Sequence, residues 1–103
     1  MYTLTNQIAI VTGASSGIGA GIAKSLAKAG ATVVVNYSNS SISAMAVVKE
    51  IETNKGRAIA IKADISKEED VKNLFQETIR QFGTVDILVN NAGLQKDASF
   101  HTM

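Results

Sequence analysis

Cysteine is absent from this chain of 103 residues, histidine occurs once, and there are only two tyrosines. Without cysteine there is no disulfide and no thiolate metal site, a composition that fits the reducing cytoplasm. The single histidine, His101, has no partner for a metal centre and is assigned no role. Charge of one sign is equally scarce. Ten Lys and Arg face nine Asp and Glu, for a net +1 dispersed along the chain, whereas nucleic acid or an anionic membrane needs clustered cations. Neither is expected as a partner. No apolar run approaches the roughly 20 residues of a membrane span, and residues 1–7 lack the cationic segment of a signal peptide. No low-complexity segment occurs, and a hydrophobic fraction of 46% suffices for a core. The length allows one domain at most, since domains typically run about 100–150 residues.

What is present alternates between two periods. Ile8-Ala-Ile-Val11, Thr32-Val-Val-Val35, Ala58-Ile-Ala-Ile61 and Val85-Asp-Ile-Leu-Val89 are short apolar runs of the kind buried on both faces of a parallel sheet. Between them lie helical patterns. Ile18, Ile22 and Leu26 recur every four residues before Gly30, and Gly21 is read as a packing glycine. Ala44, Val47, Val48 and Ile51 share a second helical face that ends near Asn54 and Gly56. In the third, Val71, Leu74, Phe75, Thr78, Ile79 and Phe82 fall at 0, 3, 4, 7, 8 and 11, with Ser66-Lys-Glu-Glu69 as a capping box and Gly83 as the stop. The order β-α-β-α-β-α-β predicts an α/β, Rossmann-like doubly wound parallel sheet, partial, with strand order 3-2-1-4. Ligands of such sheets lie beyond the carboxyl ends of the strands, where the order reverses. The loops there are expected to start at Thr12, Asn36, Ala63 and Asn90.

The first of these loops is rich in glycine. Gly13, Ala14, Ser15, Ser16, Gly17, Ile18 and Gly19 join a buried strand to a helix start, the context in which helix-start amides and the helix dipole hold a phosphate. Gly13 suits the tight turn, Gly17 the approach of a pyrophosphate, and Gly19 close packing of helix on sheet. Lys24-Ser25 is no phosphate loop of the NTPase kind, because Ala23 stands where that motif needs glycine.

Together with Ala63-Asp64-Ile65 and Asn90-Asn91-Ala92-Gly93, this run resembles the N-terminal part of the short-chain dehydrogenase/reductase family over nearly the whole chain. The resemblance implies an NAD(P)-dependent oxidoreductase that transfers hydride between nicotinamide and an alcohol or carbonyl substrate. The likeness extends to glucose 1-dehydrogenases, which implies glucose as a substrate and a full-length parent that is a homo-oligomer. It also implies that residues 13–19 wrap the pyrophosphate and ribose, that Asp64 accepts from the adenine amino group, and that Ile65 packs on the ring. Asn91, Ala92 and Gly93 then line the ribose. Each has a plainer alternative: Asp64 could cap the turn into the third helix, and Asn90 to Gly93 could be an ordinary turn. Asn36, Tyr37 and Ser38 occupy the window where an acid would hold the ribose hydroxyls and repel a 2′-phosphate. With neither acid nor cation among residues 36–41, the cofactor reads as NAD or NADP.

The family's proton transfer uses a Tyr-x-x-x-Lys pair on one helix face. Four residues beyond Tyr2 and Tyr37 stand Asn6 and Ser41, so no catalytic residue can be assigned on this chain. Residues 1–103 are therefore expected to be the dinucleotide-binding part of a single Rossmann domain, truncated and inactive alone, with the apolar edge of the fourth strand left open. The alternative is a non-catalytic dinucleotide-binding or interaction module.

Overall fold

A computed structural model describes residues 4–15 and 17–91. Along the chain run β1 (Ile8–Val11), α1 (Gly17–Lys28), β2 (Thr32–Tyr37), α2 (Ser41–Thr53), β3 (Arg57–Lys62), α3 (Glu68–Phe82) and β4 (Ile87–Val89). The four strands form one sheet in the order β3-β2-β1-β4, all neighbours parallel. The doubly wound arrangement expected from the alternating periods is what forms, since parallel neighbours need helical crossovers.

Successive strand side chains point to opposite faces of the sheet. Ala9, Val11, Val33 and Val35 pack on one face with Ala20 and Ala23 of α1 and Ala44, Val47, Val48 and Ile51 of α2. Ile10 and Val34 point to the other, where Leu74 of α3 meets them, with Phe75, Phe82, Ile59 and Ile61 only partly covered. The face of α2 is the one its sequence spacing marks. Ser40 caps that helix by accepting from the Ser43 amide at 3.1 Å.

Several details differ from the sequence expectation. Ile18 is 69% exposed, because the small residues Gly19, Ala20 and Ala23 turn toward the sheet and carry Ile18 to the outside. A Cβ on Gly21 would meet nothing within 4 Å, so this glycine packs on nothing. α3 begins at Glu68 with Lys67 as N-cap and no capping side chain. Ser66 is already engaged: its amide and hydroxyl both donate to Asp64 Oδ1, at 2.9 and 2.6 Å. Asn36 lies within β2 rather than in the loop after it. β4 starts at Ile87, two residues late, because the Asp86 carboxylate accepts from the Ile8 amide at 2.8 Å and ends the ladder there. Among the described residues β4 bonds only β1, and Leu88 on it is 43% exposed.

Candidate functional site

At the carboxyl edge of the sheet the chain turns from β1 into α1 through a loop held from two sides. Gly13 adopts φ +61, a left-handed conformation that side chains other than glycine's rarely adopt. Its amide donates to Asn36 Oδ1 at 3.2 Å, and its carbonyl accepts from Asn91 Nδ2 at 3.1 Å. The next amide, of Ala14, donates to the Asn36 carbonyl at 2.9 Å. Thr12 completes the attachment: its amide and hydroxyl donate to the Val89 carbonyl at 3.0 and 3.3 Å. Two strands that flank β1 thus grip the loop through a pair of buried asparagines, Asn36 at 2% and Asn91 at 1% exposure.

Gly19 is what lets the helix meet this clamp. A Cβ there would fall against the Gly13 carbonyl oxygen and 2.5 Å from Asn91 Nδ2. The packing role expected for Gly19 is therefore specific: it fits α1 against Gly13 and the Asn91 amide. Gly17, also at φ +61, opens the helix. As in every helix, the first-turn amides have no acceptor within it, so the start of α1 offers N–H groups and a positive dipole end.

The expected site residues therefore divide into two groups. Gly13, Ala14, Asn36 and Asn91 form the frame: the Gly13 and Ala14 amides donate to Asn36, and the Gly13 carbonyl accepts from Asn91. Ser15, Gly17, Ile18, Tyr37 and Ser38 remain accessible around the rim. Asp64 and Ile65 are half-buried on the loop after β3. There the Asp64 carboxylate accepts from Ser66, and its amide donates to Asp70 Oδ2 at 2.8 Å, so the capping alternative for Asp64 describes a real part of its work. Ser16, Ala92 and Gly93 lie outside the described residues. Asn36 carried a signal in sequence as the first residue of the window where an acid would hold the ribose hydroxyls, not as a tie to Gly13, and Asp86 and Asp70 carried none.

Over residues 7–103 the sequence matches the family model described as short chain dehydrogenase. The chain belongs to the short chain dehydrogenase family. Among its relatives is a hydroxynaphthalene reductase-like protein of Metarhizium robertsii, 54% identical over 93 residues that make up 90% of this chain and 35% of the relative. A 3-oxoacyl-(acyl-carrier-protein) reductase of Synechocystis is 50% identical over 97 residues, 94% of this chain and 39% of that protein. The crystal structure of a dehydrogenase/reductase from Sinorhizobium meliloti superposes with a TM-score of 0.83 at 49% identity, covering 84% of this chain and 34% of that one. The chain thus spans well under half the length of these family members.

Within this short chain dehydrogenase chain a cavity lies elsewhere among the described residues. About 730 Å³ in volume, it opens at the amino end of the sheet, between Lys24, Lys28, Glu50, Asn54 and Arg57. The helix ends there are C-termini, whose carbonyls disfavour an anion, and Lys24 and Glu50 pair across 3.0 Å. A dinucleotide phosphate is matched by the opposite edge. Among the described residues no helix is long and apolar enough to cross a membrane, and no group of three metal-ligating side chains assembles.

Proposed function

We propose that this chain is the dinucleotide-binding part of an NAD- or NADP-dependent oxidoreductase that acts on an alcohol or carbonyl carbon. The supporting observation is the start of α1, where Gly17 and Ile18 are exposed, clamped at the carboxyl edge of the sheet beside the reversal of strand order. In this reading the pyrophosphate lies over Ser15, Gly17 and Ile18, the adenosine ribose near Tyr37 and Ser38, and the adenine between Asp64 and Ile65. Ser16, Ala92 and Gly93 complete the contact set. When bound, the nicotinamide supplies or accepts the hydride. No acid stands among residues 36–41 to repel a 2′-phosphate, so both cofactors are admitted.

The two relatives above are named as reductases, which favours carbonyl reduction as the physiological direction; glucose oxidation is a narrower version of the same proposal. These 103 residues contain no Tyr-x-x-x-Lys. The proposal therefore places proton transfer in residues outside them, within a cytoplasmic, homo-oligomeric parent, and these residues alone turn over no substrate. The same absence favours, as a second reading, a module that binds the dinucleotide without catalysis.

Calorimetric titration with NAD and NADP tests the cofactor assignment. Weak binding is expected, abolished by Gly17→Val, whose side chain would occupy the pyrophosphate position. Asp64→Ala should weaken binding by about 1 kcal/mol, for loss of one hydrogen bond. Equal affinity of the folded wild type and Gly17→Val contradicts the assignment. Steady NADH or NADPH production from glucose by the isolated chain contradicts the claim that proton transfer lies elsewhere.

A further inference from the structure

We propose that Asn36 is a positioning residue that couples the two halves of the dinucleotide site, so that the phosphate loop and the adenine loop move together. The proposal rests on the cofactor reading above and extends it to a residue that touches no ligand. Asn36 is the fifth residue of β2, the strand between β1 and β3. The β1–β2 ladder ends at Val11 and Val35. Beyond it β1 turns away into the Gly13 loop, while β2 stays paired with β3 through Tyr37 and Lys62, one residue before Ala63. Asn36 stands between the two. On one side its Oδ1 accepts from the Gly13 amide at 3.2 Å, and its carbonyl from the Ala14 amide at 2.9 Å. On the other its Nδ2 donates to the carbonyls of Ile61 and Ala63, at 3.3 and 3.2 Å. Ala63 immediately precedes Asp64, the residue read as facing adenine.

The chemistry of the side chain explains why asparagine stands here. A carboxamide offers an acceptor and two donors in one plane, and this position needs both kinds at once, in opposite directions. A carboxylate would satisfy Gly13 but turn a second acceptor toward two carbonyls. A serine hydroxyl has one donor and cannot reach both sides. Because Asn36 is 2% exposed, water cannot stand in for whichever partner is lost. A displacement of Gly13 is therefore transmitted to Ala63, and the reverse.

Two fragments of the dinucleotide separate the halves: adenosine, which has no phosphate, and inorganic pyrophosphate. With the 15N-labelled chain, adenosine should shift the amides of residues 64–66 and also those of Gly13 and Ala14. Pyrophosphate should shift Gly17 and Ile18 and also Ala63 and Asp64. Saturating pyrophosphate should raise adenosine affinity by about fivefold, in the range of ordinary coupling between sites. In Asn36→Ser each fragment should still shift its own loop, while the cross-loop shifts vanish and the affinity ratio falls to one. Asn36→Asp should give the same result while keeping the bond to Gly13. A merely structural role would lower stability without removing the cross-loop shifts in a folded variant. If both variants fail to fold, the wild type decides: adenosine binding that leaves Gly13 and Ala14 unmoved, with independent affinities, overturns the coupling. Shifts in neither loop with either fragment overturn the cofactor reading itself, and the coupling with it.

Discussion

The loop after β1 and the loop after β3 lie along the same edge of the sheet and are held by different means. The first is fixed from outside itself. Its bonds run to Asn36, Val89 and Asn91, residues 23 to 78 positions away. The second combines local bonds, of Asp64 with Ser66 and of Asp70 with the Asp64 amide over two and six positions, with ties from β2 to Ala63 at its start. The first therefore takes its shape only once the sheet has assembled, and perturbing it disturbs the sheet. The second carries part of its shape in its own sequence and reaches the first through Asn36. In the proposed reading the long-range clamp lies under the pyrophosphate and supplies rigidity there.

Substitutions in the two loops should sort accordingly. Gly19→Ala is the most damaging, since the new Cβ meets backbone at Gly13 and the Asn91 amide rather than a flexible side-chain end. Overpacking of this kind should lower stability by about 3 kcal/mol, read by urea denaturation. Asn91→Ala leaves the Gly13 carbonyl without its donor and should lower stability by about 2 kcal/mol. In the second loop, Asp70→Ala removes one bond to the Asp64 amide and should lower stability by only about 1 kcal/mol. Its hydrogen exchange should rise most at residues 64–66. A loss for Asp70→Ala equal to that for Gly19→Ala would erase the distinction. Gly21→Ala, on the open side of α1, should raise stability by roughly 0.5–1 kcal/mol through helix propensity alone.

The same distinction explains what could be read from sequence. The β-branched runs, the helical spacing on α2 and the glycine loop are local patterns, and each appears where its period places it. The parallel, doubly wound arrangement followed from crossover rules and the strand order from the usual order of such sheets, neither of which needs side-chain detail. The uses of Asn36, Asp70 and Asp86 were hidden, because each bonds a backbone group whose proximity exists only in the folded sheet or loop. Ser66 misled for a related reason: its hydroxyl fits a cap, but Asp64 two residues earlier competes for it and wins. Ile18 fitted the four-residue spacing of its helix, yet the smaller residues beside it take the buried face and leave it exposed.

The assignment of the site to the carboxyl edge is tested most directly by mapping amide shifts during titration of the 15N-labelled chain with NADP. Binding there predicts shifts concentrated at residues 15–19, 37–38 and 64–65, with smaller ones at Asn36 and Asn91 beneath them. Shifts concentrated instead at Thr5, Lys24, Asn54 and Arg57, around the cavity at the amino edge, would contradict it.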